Sequence, residues 1–425
     1  MRIYEHVPEE LDEVLAFRNA IFGYISKEHW QAMNCTAVVA REGDQLLGFI
    51  PLQYRQQCLN ARVAIPVVYE NAVGVAEGMR GRGIGTQMLD EAARFISDRA
   101  DAMMVIRSGE RSNGYRFYRK AGHGDVMYAR HYFLPPEVAW PSSGAPGSSL
   151  AFPGISVVDR QRWLALEPQL LDLYVRTYGR FGGGQRREPG YWQMILDGHV
   201  YADRGPKGWP WWLVTANQGW AVNQGGGGSQ DDRLAGYLVA AQGLWDDSPD
   251  VYVYEVVGED EVTVERLIRY ARGLTAQFAC DAKHRHAKPR YGLAAVSLAN
   301  PICSLLRRMG FEEMDSSPHL MARILRPDRI FQQLAAGSGL LDTLSLAVAT
   351  PHRTLVVNDP PQPRYRVQIE TKEHVLSRLF CCRLHLGAAV EMELLRWNAY
   401  DPGLRRALEE VFAFCEWVQW YTDYV

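Results

Sequence analysis

Apolar positions early in the chain switch repeatedly between helix-like and strand-like spacing. Glu9–Phe22 carries apolar residues at helical spacing, and Thr36–Val39 and Gln45–Gln53 read as strands joined by the turn Glu42-Gly43-Asp44. Val67–Ala76 is predicted as one strand. Ile84–Ile96 follows as an amphipathic helix with Ile84, Met88, Ala92 and Ile96 on one face. Ala102–Ile106 is the next strand, Asn113–Lys120 a short helix, and Val126–Phe133 a last strand. Strands alternating with helices in this way predict an α/β domain over residues 1–137.

A tract rich in Pro, Ser and Gly, Pro141–Ser149, reads as a linker within 138–153. A second block over 154–325 repeats the order of elements. It has helix patterns at Trp163–Tyr178 and Tyr191–Leu196 and strands at Trp211–Thr215, Leu234–Ala241 and Val251–Val257. A helix over Val262–Phe278, a strand at Tyr291–Ala295, a helix at Pro301–Met309 and a strand at His319–Ile324 complete it. Gly225–Ser229 reads as a hairpin loop. The segment from Asn300 to Gly310-Phe311 matches that from Asn113 to Gly122-His123, with Leu306 in the place of Tyr118, so the two blocks read as a diverged tandem repeat. The third block, 326–425, is predicted as an antiparallel sheet of Leu344–Ala349, Thr354–Asn358, Tyr365–Thr371 and Arg383–Glu393. Helices are expected at Ile330–Leu334, Lys372–Leu379 and Leu404–Trp417. The last ten residues, from Glu416 to Val425, carry unusual aromatic weight, which points to a docked end.

Composition changes this picture little. The chain has 425 residues, enough for two or three domains, with 47% hydrophobic and 22% charged residues. A net charge of −3 gives no general attraction to nucleic acid. The seven cysteines are odd in number and scattered, as expected for reduced thiols in a cytoplasmic protein. The first residues lack the apolar stretch of a signal peptide, and no apolar run is long enough to span a membrane. Cys280, His284 and His286 lie among Lys283, Arg285, Lys288 and Arg290, whose charges oppose a cation, so no metal site is expected.

The chemistry concentrates in Arg80-Gly81-Arg82-Gly83-Ile84-Gly85-Thr86, between a strand and a helix. Glycines let the backbone approach an anion and take positive φ. The unpaired amides of the helix start point at that anion, with the helix dipole behind them. A dinucleotide fingerprint does not fit: counted from Gly81, Thr86 stands where the third Gly or Ala belongs, and no strand end falls at Arg99–Asp101. The Gly-Lys-Ser/Thr of a P-loop is missing.

The spacing Arg80-x-x-Gly83-x-Gly85 resembles the acetyl-coenzyme A loop of the GNAT N-acetyltransferases. Two GNAT-like blocks, a strand-rich third block and an aromatic end resemble in turn the enhanced-intracellular-survival family. This second resemblance implies an α/β (α+β) chain of two mixed-sheet GNAT domains, the second degenerate, followed by a sterol-carrier-like α+β domain. It also implies a homohexamer acetylating primary amines such as aminoglycosides or lysine side chains. In the second block the counterpart of the loop, Gly258-Glu259-Asp260-Glu261, has no arginine and carries three carboxylates, which would repel a phosphate.

Carried onto this sequence, the resemblance assigns acetyl-coenzyme A to Val73, Gly74 and Val75, which would pair with its pantetheine amides, to Arg80 through Thr86 at its diphosphate, and to Asn113. Tyr118, four residues before Gly122, is the expected general acid, because a phenol of pKa about 10 is protonated at neutral pH. Tyr115 competes with it from nearly the same helix face. The expected base is the chain's own terminal carboxylate at Val425. Phe22, Tyr24, Glu28 and Trp30 are expected to line the amine pocket, since aromatic walls with a carboxylate suit an organic cation. Two rival readings stay open: a non-catalytic acyl-coenzyme A or lipid-binding module, and an acyltransferase for longer acyl chains.

Overall fold

A computed structural model describes residues 1–22, 25–70, 73–108, 112–135, 138, 152–198, 211–217, 233–242, 250–275, 290–314 and 318–424. The linker 141–149, the tract 225–229 and the Cys280–His286 cluster lie outside them.

In chain order the elements are β1 (Arg2–Glu5), α1 (Leu11–Phe22), α2 (Lys27–Ala32), β2 (Cys35–Glu42), β3 (Gln45–Cys58), β4 (Ala64–Glu70), β5 (Gly74–Val75), α3 (Ile84–Ile96), β6 (Ala102–Ser108), α4 (Asn113–Lys120) and β7 (Gly124–Leu134). The next are β8 (Ile155–Val158), α5 (Arg160–Ala165), α6 (Glu167–Tyr178), α7 (Tyr191–Gly198), β9 (Trp211–Asn217), β10 (Leu234–Gln242), β11 (Val251–Gly258), α8 (Glu261–Thr275), β12 (Tyr291–Ser297), α9 (Ile302–Arg308), β13 (Glu312–Glu313) and β14 (Pro318–Ile324). Last come α10 (Pro327–Leu334), α11 (Leu340–Thr343), β15 (Leu344–Ala349), β16 (Thr354–Asn358), β17 (Tyr365–Thr371), α12 (Glu373–Phe380), α13 (Leu386–Glu391), β18 (Leu395–Trp397) and α14 (Pro402–Val411).

These elements divide into two compact units. The first comprises Met1–Tyr128, Phe181–Arg186 and Pro318–Trp417; the second comprises Ala129–Arg180, Arg187–Ser317 and Val418–Val425. In the first unit the sheet runs β1-β2-β3-β4-β6-β14 and on to the start of β7. Its neighbours are antiparallel except β4 and β6, which are parallel because α3 crosses over between them. The amphipathic α3 buries Ile84, Met88, Leu89, Ala92, Ala93 and Ile96 in the same core as Val68, Met103, Val105 and Met321. Each large side chain so buried contributes about 1.5–3 kcal/mol. β14, the last strand of the second repeat in sequence, lies between β6 and β7 and is hydrogen-bonded to both. The first unit also holds the four-stranded sheet β16-β15-β17-β18, with α10 against β16. It is mixed rather than antiparallel, since β15 and β17 run parallel.

The second unit repeats the plan. β10 and β11 are antiparallel, α8 crosses over, and β12 returns parallel to β11. The end of α4 and the end of α9 match bond for bond. Gly122 donates to Arg119 O and His123 to Tyr118 O, as Gly310 does to Arg307 O and Phe311 to Leu306 O. Both glycines hold positive φ, +89° and +87°, the left-handed helix stop that an L side chain resists. The tandem mixed-sheet fold is thereby shown.

Three local expectations are overturned. The strand Val67–Ala76 is interrupted: Leu52 faces Glu70, yet Phe49 faces Gly74, so four steps on this strand answer three on β3. That is a β-bulge, in which one extra residue changes the direction of the strand beyond it. The strand expected at Arg383–Glu393 is the helix α13 instead, with Leu386 and Ala389 buried three residues apart; a short apolar run fits either period. The helix expected to reach Trp417 ends at Val411.

A buried histidine gives the second unit a pH dependence. His131 Nδ1 accepts the N–H of Ala295 at 3.1 Å, and Ala295 sits at a register shift with φ +47°. Burial pushes the imidazole pKa down to about 4. The folded state therefore favours the neutral ring. Its contribution is complete above pH 6.5 and is lost as pH falls towards 4, up to about 3 kcal/mol. Urea melts between pH 7 and 4.5 should show this loss in the wild type and not in His131→Gln; equal pH slopes in the two proteins would contradict it.

Candidate functional site

The bulge after Glu70 is where the site begins. β4 and β6 pair only over Val67–Tyr69 and Ala102–Met104, and β6 then runs on to Ser108. Beyond the bulge, β5 pairs through Gly74 and Val75 with Phe49 and Gly48 of β3. Among the described residues β5 pairs with β3 alone. Gly74 admits no side chain: a Cβ there would stand 2.5 Å from the Phe49 ring and 3.2 Å from Phe22.

From β5 the chain passes through a short 3-10 turn, Glu77–Met79, to the glycine loop. Gly81 and Gly83 have φ of +78° and +80°, and Gly83 is the residue before α3. No side chain caps this helix start, and the first backbone bond of the helix is Gln87 N–H to Gly83 O at 3.1 Å. The amides of Ile84, Gly85 and Thr86 thus precede the helical ladder and are directed outward along the axis. Arg80 is exposed and donates from Nε to Val75 O at 3.3 Å, tying the loop to the end of β5. Arg82 and Thr86 are exposed beside it. This start fits an anion such as a diphosphate, which binds through main-chain amides and the dipole.

The short helix α4 starts on a Ser112 cap, whose hydroxyl accepts the Tyr115 N–H, and leans on the glycine loop. The Phe117 ring comes within 3.7 Å of where a Gly85 Cβ would stand. Asn113 is exposed at its first turn and accepts from Arg116 at 2.7 Å. Tyr118 is 1% exposed and belongs to the core under α3, and Tyr115, half-buried, packs against the same core. The Tyr115 hydroxyl donates to Asp125 at 2.7 Å, and burial followed by that carboxylate pushes its pKa well up. The two tyrosines have different neighbours: the Tyr115 hydroxyl is bonded to Asp125, and the Tyr118 ring adjoins His123.

Two residues that the sequence reading missed stand with Tyr118. The His123 ring lies edge-on to Tyr118, centroids 5.2 Å apart, and His123 Nε2 is 3.5 Å from Glu70 Oε1. Glu70 and His123 side chains are fully buried. Glu70 is the last residue of β4 at the bulge, and His123 follows the left-handed Gly122. Their signal in sequence was weak: an acid ending an apolar strand, and a histidine where the other repeat has Phe311.

Phe22, at the end of α1, packs edge-to-face on Phe49 at 6.0 Å and so adjoins Gly74. Trp30 is 2% exposed and edge-on to His6, and Glu28 is exposed on the same helix, α2. Glu28's carboxyl is held below its usual range by hydrogen bonds from its own backbone N–H and from Ser26. Tyr24 and Val425 lie outside the described residues. Among the described residues no cluster of His, Cys, Asp and Glu suits a metal ion, and no helix is long and apolar enough to cross a membrane.

Comparison with known proteins agrees with this geometry. Residues 4–123 match the model of the acetyltransferase (GNAT) family. No curated protein matches the sequence. Solved structures share the fold over nearly the whole chain. A conserved protein of unknown function from Enterococcus faecalis, described as a probable N-acyltransferase, superposes with a TM-score of 0.66 at 14% identity, covering 99% of this chain and 98% of its own. A GCN5-related N-acetyltransferase from Kribbella flavida gives 0.60 at 16% identity, covering 99% of each chain. Eis1 from Mycobacterium abscessus gives 0.58 at 15% identity, covering 98% of each. At these identities the likeness is one of fold. The family match falls on the segment that carries the glycine loop, residues 4–123, and supports an acyltransferase enzyme.

Proposed function

We propose that this chain transfers the acetyl group of acetyl-coenzyme A directly to a primary amine. The observation that carries the reading is the uncapped start of α3 on the left-handed Gly83, with the buried Tyr118 of α4 behind it. Amides of residues 82–86 hold the diphosphate, with Arg80, Arg82 and Asn113 at its rim. The free edge of Val73, Gly74 and Val75 pairs with the pantetheine amides and leads the thioester into the gap between β4 and β6. The neutral amine attacks the thioester carbonyl carbon, and a strand amide near Val73 stabilises the oxyanion. Collapse breaks the C–S bond, the thiolate takes the Tyr118 proton, and the ammonium proton leaves to a base.

Two carboxylates compete for that last step. The resemblance nominates the terminal carboxylate of Val425. The geometry favours Glu70, set 3.5 Å from His123, which adjoins Tyr118. Residues appended after Val425 separate them: a loss of kcat of about 100-fold is expected if the terminal carboxylate is the base, and full activity assigns the step to Glu70.

Phe22, Tyr24, Glu28 and Trp30 are the proposed amine pocket. The acceptor is a polyamine, an aminoglycoside or a lysine side chain. Residues 1–137, 154–325 and 326–425 serve as catalytic, degenerate and sterol-carrier-like parts of a cytoplasmic hexamer. The mixed sheet of β15–β18 with α10–α14 supports the last of these assignments. Thiol release from acetyl-coenzyme A against a panel of those amines tests the function. Saturable coenzyme binding without acetylated product would establish a binding module instead, and stronger turnover of longer acyl-coenzyme A would establish a different donor.

A further inference from the structure

The second unit carries the same splayed pair of strands as the first. β11 and β12 are parallel only over Val251–Val253 and Tyr291–Leu293, and both then run on, to Gly258 and Ser297. Two features distinguish this cleft from that of the first repeat. The start of α8 is already capped: Asp260 Oδ1 accepts the Thr263 N–H at 2.7 Å. The amides that α3 leaves open are here met by a carboxylate of the chain, which also repels a phosphate. Second, the chain's own end packs on both strands, as the turn Tyr421–Tyr424 lies against β11 and β12.

The tail is held by a polar network rather than by apolar contact alone. Arg187 donates to both oxygens of Glu255 and, at 3.1 Å, to Asp423. The side chains of all three are fully buried. Tyr191 donates to Asp423 at 3.0 Å, the Trp420 N–H to the other Asp423 oxygen at 3.1 Å, and the Thr422 hydroxyl to Glu255. The Arg187 guanidinium stands 3.4 Å from the Tyr174 ring centroid, and Tyr421 lies 4.8 Å from Tyr254 of β11. Burying one cation with two carboxylates is costly unless every group has a partner. Glu255 lies on β11, so the network joins the strand of the cleft to the third-last residue of the chain.

We propose that the second repeat has exchanged coenzyme binding for tail binding. Its β11–β12 cleft is a socket for residues 418–424, and Arg187, Glu255 and Asp423 are the lock. The three residues are positioning residues and do not touch substrate.

Amide hydrogen exchange on the full chain tests the socket without needing turnover. In Asp423→Asn the amides of 418–424 are expected to exchange at least tenfold faster, with β4 and β6 unchanged. Thr422→Val, which removes only the hydroxyl on Glu255, is the milder variant and should accelerate the same amides about threefold. Acetyl-coenzyme A added to the wild type should protect 81–87 and leave 258–263 unaltered. Unchanged tail exchange in Asp423→Asn, or in Thr422→Val should the first fail to fold, overturns the lock. Coenzyme protection at 258–263 overturns the socket.

Discussion

Tyr118→Phe is expected to lower kcat by about 100-fold or more while the KM for acetyl-coenzyme A stays within a few-fold of wild type. In the proposed reading the coenzyme is held by main-chain amides of the glycine loop and β5, which the substitution leaves untouched. The ring that packs under α3 is retained, and so is its edge contact with His123. What disappears is one hydroxyl, and with it the proton for the departing thiolate. Tyr115→Phe supplies the contrast: it breaks the bond to Asp125, so its effect should fall on stability, by about 1 kcal/mol, and little on turnover. Steady-state kinetics with circular dichroism melts of both variants check this. A Tyr118→Phe enzyme with wild-type kcat would remove Tyr118 from the chemistry. Glu70→Gln extends the series. If the amine proton leaves through Glu70 and His123, kcat should fall comparably with Tyr118→Phe and become insensitive to pH over the range where the wild type responds.

A fragment ending at residue 137 is expected not to fold on its own, although it contains the whole family match, residues 4–123. The strand that completes its sheet comes from Pro318–Ile324. β14 sits between β6 and β7, registered along seven residues of β6, and its Leu320, Met321 and Ala322 are fully buried. Without it, two strand edges lose their ladders and the core loses side chains worth about 1.5–3 kcal/mol each when large. That loss approaches the net stability of an ordinary domain, about 5–15 kcal/mol. The fragment should aggregate or show dispersed exchange and no cooperative melt. A fragment that melts cooperatively and binds acetyl-coenzyme A would show that the strand is dispensable.

The elements that sequence reading places best are those whose signal is local. Ile84–Ile96 and Asn113–Lys120 are found at their predicted bounds, because an amphipathic face defines each, with the left-handed Gly83 before the first and the Ser112 cap before the second. The glycine loop is equally local: two residues at positive φ and a helix start without a cap follow from its spacing. The α13 segment fails because a six-residue apolar helix and a strand share the same pattern. The bulge after Glu70 escapes because one extra residue shows only in the register against β3. With the bulge escape Glu70 and His123, which lie 53 residues apart in sequence by their numbers and come together with Nε2 3.5 Å from Oε1.

What the amino-acid order determined alone is therefore the spacing of the glycine loop, the tandem repeat that carries it, and the three carboxylates of Gly258-Glu259-Asp260-Glu261 at the matching place. These rest on interactions within a few residues of one another, where spacing and charge are sufficient. Tertiary structure decided that Tyr115 donates to Asp125, that β14 completes the first sheet, and that Arg187, Glu255 and Asp423 share one buried site. Those outcomes join positions from 10 to 236 residues apart, and they are settled by packing and by the cost of burying an unpartnered charge, which no local pattern encodes.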